Sequence, residues 1–330
     1  MRKFNRLHGF TGQYNFGVHN NGLANLRRGL VERLFYVEGQ DGVLVPPPRP
    51  LGGAFDVLRP FRAECVKQAD QFYTPVTRER FLMYYRGRKL AVYTKAVESL
   101  CVRPLEERDA RLKTFVKAEK INFTLKHDPA PRIIQPRDPR YNVELGVFLR
   151  PHEKRLIKLY NQVWGGSPSV MKGLNMEDRG RTIAHKWSLF KDPVAIGLDA
   201  KRFDQHVSRD ALEYEHSIYN ALFKDRRLRY ILKMQLHNYG IGFASDGMCK
   251  YDNEGGRMSG DMNTSLGNIT LMMAMFYYLR DTCKIRFELV NDGDDNVVIC
   301  EKLDYMNMTQ LLTPFFLQFG FQIVLEAPGF

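Results

Sequence analysis

The stretch Ile285-Arg-Phe-Glu-Leu-Val-Asn-Asp-Gly-Asp-Asp-Asn-Val-Val-Ile-Cys300 decides how this chain is read. Its flanks, Ile285 to Val290 and Asn296 to Cys300, read as two strands. The acidic turn between them carries Gly293, a hairpin signal. Asp292, Asp294 and Asp295 crowd carboxylates at one tip. Like charges so close repel, and a cation between them relieves the repulsion. Gly293 supplies the backbone freedom of a tight turn. Alone, the Gly-Asp-Asp triplet is a weak motif, because Asp and Gly are ordinary turn residues.

Outward from the hairpin, Val194 to Leu198 is a short apolar run that reads as a buried strand. Asp199 stands at its end and opens the stretch Asp199-Ala-Lys-Arg-Phe-Asp204. If the two strands are neighbours, Asp199 faces the hairpin tip. Asp199, Asp294 and Asp295 then surround a pair of divalent ions, the arrangement that stabilises attacking and leaving oxygens in phosphoryl transfer. Mg2+ suits oxygen ligands shared between carboxylates and substrate phosphates. Ser208 reads as a helix N-cap, with Asp210 in the first turn.

The segment Ser259-Gly-Asp-Met-Asn-Thr-Ser-Leu-Gly-Asn268 joins Gly255-Gly256 to a helix expected at 264–280, apolar all round and therefore buried. Small polar residues at a helix start let a nucleotide or template backbone approach, although a plain capped helix has the same look. Lys117-Ala-Glu-Lys120 and Pro131-Arg-Ile-Ile-Gln-Pro-Arg137 offer Lys120, Arg132 and Arg137 to a triphosphate. A basic β-hairpin in solvent is the plainer alternative. A helix near 305–319 and a strand at Phe321 to Leu325 complete an α+β pattern, a sheet packed on helices.

The chain has 330 residues, 44% of them hydrophobic, enough for one large domain or two or three subdomains on one scaffold. Its net charge of +12 favours polyanion partners, nucleic acid first and acidic membrane surfaces second. Cys65, Cys101, Cys249, Cys283 and Cys300 form no Cys-x-x-Cys pair, which argues against a disulfide framework or structural zinc and for a reducing compartment. The opening Met1-Arg-Lys-Phe-Asn5 lacks the apolar core of a signal peptide. The run Leu271 to Leu279 falls short of the roughly 20 residues that span a bilayer. The expectation is a soluble chain that meets membranes only through a partner or a further segment. No Gly-x-x-x-x-Gly-Lys-Ser/Thr loop is present, so a helicase or NTPase is disfavoured.

Pro46-Pro-Pro-Arg-Pro50 reads as an extended linker. Residues 78–95 interleave Arg78, Arg80, Arg86, Arg88, Lys89 and Lys95 with Phe81, Tyr84, Tyr85 and Tyr93. They suit either a strand-tracking groove or a helix with a solvated basic face and a buried aromatic one. Lys224, Arg226, Arg227, Arg229 and Lys233 read as a solvated face.

Taken in order, a basic segment, Asp-x-x-x-x-Asp, Ser-Gly-x-x-x-Thr-x-x-x-Asn and Gly-Asp-Asp resemble the F, A, B and C motif series of viral RNA-dependent RNA polymerases. Asp199-Ala-Lys-Arg-Phe-Asp-Gln-His-Val207, Arg257-Met-Ser-Gly-Asp-Met-Asn-Thr264 and Asn291-Asp-Gly-Asp-Asp295 look most like the tombusvirus-like group of positive-strand RNA virus replicases. Gly17-Val-His-Asn-Asn-Gly22, Tyr85-Arg-Gly-Arg-Lys89 and Met171-Lys-Gly-Leu-Asn175 extend the likeness over nearly the whole chain.

The resemblance implies a right-hand polymerase fold with an antiparallel palm sheet. Its parts would be an N-terminal extension and fingers at 1–190, palm at 191–221, a fingers insertion at 222–256 and palm again at 257–330. Because the chain stops at Phe330, the thumb and motif E are expected to be missing, and no lysine in Phe321 to Phe330 suits motif D. Asp199, Asp294 and Asp295 would bind Mg2+, with Mn2+ able to substitute. Asp204 and Asn268 would recognise the ribose 2′-OH, which both donates and accepts hydrogen bonds. Ser259 and Thr264 would help to place the nucleotide, and Lys120, Arg132 and Arg137 would hold its triphosphate.

Implied partners are template and nascent RNA, rNTPs, a viral auxiliary replication protein and, through it, host membranes in cytoplasmic replication complexes, with no DNA. A reverse transcriptase shares the carboxylates but excludes the 2′-OH, which Asp204 with Asn268 argues against. A non-catalytic RNA-binding fragment would not need the carboxylate set.

Overall fold

The computed structural model describes residues 4–6, 14–39 and 41–329. Most of the opening Met1-to-Asn5 stretch and Phe330 therefore lie outside the described residues. The architecture is α+β, as expected, and two four-stranded sheets position its polar centre. No helix among the described residues is long and apolar enough to cross a membrane.

The central sheet runs Phe287–Asp292, Asp295–Glu301, Pro193–Ala200, Ile323–Leu325, every pair antiparallel. Alternation sets its faces. Val194, Ile196, Leu198 and Ala200 point into the core, so Asp199 falls on the open side. The core side packs against the long helices Pro139–Trp164 and Thr264–Thr282 and the helix Tyr305–Leu317. Thr264–Thr282 is buried on nearly every side from Leu266 to Phe276, which its all-round apolar sequence required.

Local chemistry explains most boundaries. Ser208 caps the helix Arg209–Phe223 by accepting the Ala211 N–H at 3.1 Å. The first hairpin strand begins at Phe287 rather than Ile285, because Cys283 and Ile285 form the turn that leaves the preceding helix. The last strand is confined to Ile323–Leu325, because Phe321 instead stacks on Phe203 at 4.6 Å. The basic and aromatic stretch 78–95 becomes the helices Arg78–Leu82 and Gly87–Val102. Phe81, Tyr85 and Tyr93 pack inward as one cluster, so the amphipathic-helix alternative is the one realised.

The peripheral sheet runs Gly247–Glu254, His237–Ala244, Leu112–Val116, Ile133–Ile134. Leu112–Val116 pairs with His237–Ala244 in parallel. One face of this sheet packs Leu112 and Val116 with Leu26 and Leu30 of the helix Leu23–Leu30 in a second, smaller core.

Candidate active site

The acidic turn forms the hairpin that its sequence suggested. Asp292 pairs with Asp295 across it, and Gly293 sits at φ +93°, where a Cβ is strained. Two buried asparagines hold the turn. Asn291 donates to the Gly293 carbonyl at 2.9 Å and to the Asn296 Oδ1 at 2.7 Å, and Asn296 donates to the Asp294 carbonyl at 2.9 Å. The neighbouring strand brings Asp199 directly opposite Asp295 in the ladder. Asp199, Asp294 and Asp295 are all exposed.

Burial, then Asp294, Asp199, Asp292 and Glu326, push the Asp295 carboxyl above its usual range. Glu326, just past the strand Ile323–Leu325, adds its charge, its side chain lying across Gly197 where a Cβ would collide with it. A cation would relieve this field, and the hard oxygen donors fit Mg2+. Among the described residues no three His, Cys, Asp or Glu side chains close on one point, so the carboxylates stand open rather than caged. Openness suits Mg2+, which keeps waters and takes substrate phosphates as ligands.

Beside the carboxylates lies a cavity of about 150 Å³. Asp204, Asp294, Ser259 and Arg132, all expected at the site, line it together with Arg33, Arg202 and Arg257, which the sequence reading did not single out. Arg33 comes from the π-helical turn Val31–Phe35, a local irregularity common at functional sites. Arg202 sits at φ +52°, an unusual conformation for a non-glycine residue, and donates to the Glu32 carbonyl. Desolvation, then repulsion from Arg202 and Arg132, push Arg33 down to about 10. A desolvated cluster of guanidinium groups is a ready anion site.

Asn268 stands between the carboxylates and the cavity. Its Nδ2 donates to the Asp204 carboxylate at 3.2 Å and lies 3.5 Å from that of Asp294. Its Oδ1 accepts from Arg257 Nε at 3.2 Å. Arg257 in turn pairs with Glu215, both side chains fully buried, and Glu215 accepts from Asn263 at 2.8 Å. A charged buried chain thus fixes the Asn268 carboxamide. Burial pushes the Asp204 carboxyl up to about 6 against the lowering effect of the Asn268 hydrogen bond.

Other expected residues are placed differently. Arg137 does not join the cavity. It is buried and spent on Asp261 at 2.5 Å, the Ala110 carbonyl at 2.8 Å and Asn238 at 2.6 Å, away from the cavity. Such a pair, once broken, leaves an uncompensated buried charge, so Arg137 holds the loop after Ser259 in place. Thr264 donates its hydroxyl to the Met258 and Asp261 carbonyls and shapes the same loop. Lys120 packs over the Phe16 ring at 4.3 Å and does not line the cavity.

Residues 1–330 match the family model described as viral RNA-dependent RNA polymerase. The chain is 52% identical to the RNA-directed RNA polymerase of Tobacco necrosis virus (strain A), over 99% of this chain and 45% of that protein. It is 47% identical to that of Turnip crinkle virus, over 100% of this chain and 42% of that protein. It is 48% identical to that of Tomato bushy stunt virus (strain Cherry), over 98% and 39%. The chain therefore spans less than half the length of these curated relatives. With the motif order, the hairpin carboxylates and a match along its whole length, this chain belongs to the viral RNA-dependent RNA polymerase family.

Proposed function

We propose that this chain carries the catalytic centre of an RNA-directed RNA polymerase that copies a viral RNA genome from rNTPs. The observation that carries the reading is the contact of Asn268 with both Asp204 and Asp294, at the edge of a cavity lined by arginines. Asp204 and Asn268 read the ribose 2′-OH, the carboxylate accepting and the amide donating or accepting. Arg33, Arg132 and Arg202 neutralise the triphosphate, and Ser259 bounds the sugar side of the cavity. Asp199, Asp294 and Asp295 would hold Mg2+ or Mn2+, which supplies charge for the attacking and leaving oxygens. The 3′-OH of the growing strand attacks the α-phosphate, a P–O bond forms, and the bond to the leaving pyrophosphate breaks. Positioning and charge neutralisation supply most of the catalysis, and base pairing selects the nucleotide.

In right-hand terms, residues 1–190 form an N-terminal extension and fingers, 222–256 a fingers insertion, and 191–221 with 257–330 the palm. The partners are template and nascent RNA, a viral auxiliary protein and, through it, host cytoplasmic membranes. The test is template-directed rNTP incorporation with Mg2+ or Mn2+ by the protein at its natural full length, beside its Asp294→Ala variant. Loss of incorporation in the variant is expected. Equal activity refutes the site, and a preference for dNTPs refutes the RNA assignment.

A further inference from the structure

We propose that the outward face of the peripheral sheet, with the cavity at its end, docks single-stranded RNA apart from the carboxylate site. Alternation along the strands builds this face. Where Leu112, Thr114 and Val116 turn inward, Lys113 and Phe115 turn out. The register places Lys113 beside Ile241, and Ile241 beside Lys250, in one row across three strands. Two residues along lies a row of Phe243 and Met248, and two residues back stands Tyr239. Tyr239 is 60% exposed, Phe243 47% and Phe115 41%. Grouped on one face rather than scattered singly, such open aromatics mark an interaction surface.

At the Tyr239 end the face runs into a cavity of about 300 Å³, in which Tyr230, His237 and Tyr239 meet Arg111 and Lys233. That size lies at the lower bound for small-ligand pockets, and the lining offers rings for a base and cations for its phosphate.

Charge selects the occupant. Arg111, Lys233 and Lys250 have no acidic partner within ion-pair distance among the described residues, and Lys113 shares Asp138 at 3.1 Å. The acids present are Glu107 at the cavity, Asp252 opposite Tyr239 and 3.6 Å from His237, Glu254 opposite His237 but paired with Arg209 at 2.5 Å, and Asp138. Lysine is depleted at protein interfaces, whereas a basic row flanked by aromatics matches a phosphate backbone with stacking bases. The choice of RNA over DNA rests on the proposed function, and the surface itself does not.

The experiment uses the full-length protein and a 4-thiouridine-bearing single-stranded RNA of random sequence, cross-linked by light and mapped by peptide mass. Expected are cross-links within 237–254 or 111–115 that persist in Asp294→Ala and fall about tenfold in Tyr239→Ala/Phe243→Ala. Lys250→Gln lowers the salt dependence of binding by close to one phosphate contact. All three side chains are exposed, so these variants keep the fold, and a melting curve checks it. Cross-links confined to the carboxylate region, or unmoved by the variants, overturn the surface, as does its protection in a protein complex that excludes RNA. Incorporation measured on the same preparation separates the two readings. Activity without cross-links here overturns the surface alone, and cross-links here without activity overturn the proposed function alone.

Discussion

The Glu215–Arg257 pair offers the sharpest test of how the core governs the site. Both side chains are fully buried, and Glu215 also accepts from Asn263 at 2.8 Å. Glu215→Gln keeps shape and removes the charge, leaving a guanidinium in the core without its counter-ion. Breaking a buried pair in this way costs about 3–5 kcal/mol, a large share of the roughly 5–15 kcal/mol that holds a typical domain folded. Replacing both partners, as Glu215→Met with Arg257→Met, removes both charges and should fold within about 1 kcal/mol of the parent. The double variant nevertheless deletes the Arg257 Nε donor, 3.2 Å from the Asn268 carbonyl oxygen. The Asn268 amide then loses its fixed orientation toward Asp204. Discrimination between rNTP and dNTP, measured as a ratio of kcat/KM, should fall by about tenfold, the equivalent of one hydrogen bond. Urea unfolding reads the first effect and single-nucleotide incorporation the second. A single variant that loses under about 1 kcal/mol, or a double variant as unstable as the single, refutes the reasoning. So does unchanged discrimination in a stable double variant.

Three further outcomes follow from the same geometry. His216 is buried beside Gln235 and pushed down to about 4 by burial, so it folds neutral, and its unfolded form titrates near 6.5. Its share of stability is complete above that value and drains away as pH falls toward 4, by roughly 3 kcal/mol. His216→Gln should remove that slope in urea unfolding at pH 7 and pH 5, and an unchanged slope contradicts it. Gly293→Ala meets nothing nearer than the Asn268 Cβ at 4.0 Å but must hold φ +93°, so it should cost about 1–2 kcal/mol of unfolding free energy through strain alone. Arg33→Ala should raise the KM for rNTPs about tenfold with a smaller change in kcat, and an unaltered KM removes Arg33 from the triphosphate site.

The parts of this site that were legible in the sequence are those written in short-range pattern. The strand before Asp199, the glycine turn, the Ser208 cap and the all-apolar helix after Asn263 each follow from neighbours a few residues apart. The parts that were hidden depend on long-range pairing. Nothing near Leu112 announces a parallel partner at Gly240, so the peripheral sheet had no local signal. Arg33 and Arg202 are ordinary basic residues until a π-helical turn and a positive φ aim them into one cavity. The burial of Arg137 was hidden in the same way, because its partner, Asp261, lies far along the chain. Only the positive φ of a bulky residue departs from local rules, and no sequence pattern marks it.

The cavity is lined by both Arg33 and Asp294, from positions roughly 260 residues apart. Contacts of such high sequence separation form late, because the chain must close a very long loop first. On the ribosome the delay is also one of synthesis. At about 5–20 residues per second, the early arginine waits tens of seconds for the carboxylate that completes its pocket. A nascent chain has phosphate-seeking cations well before it has a turn to use them. The two sides of the cavity therefore meet only after the hairpin has been synthesised.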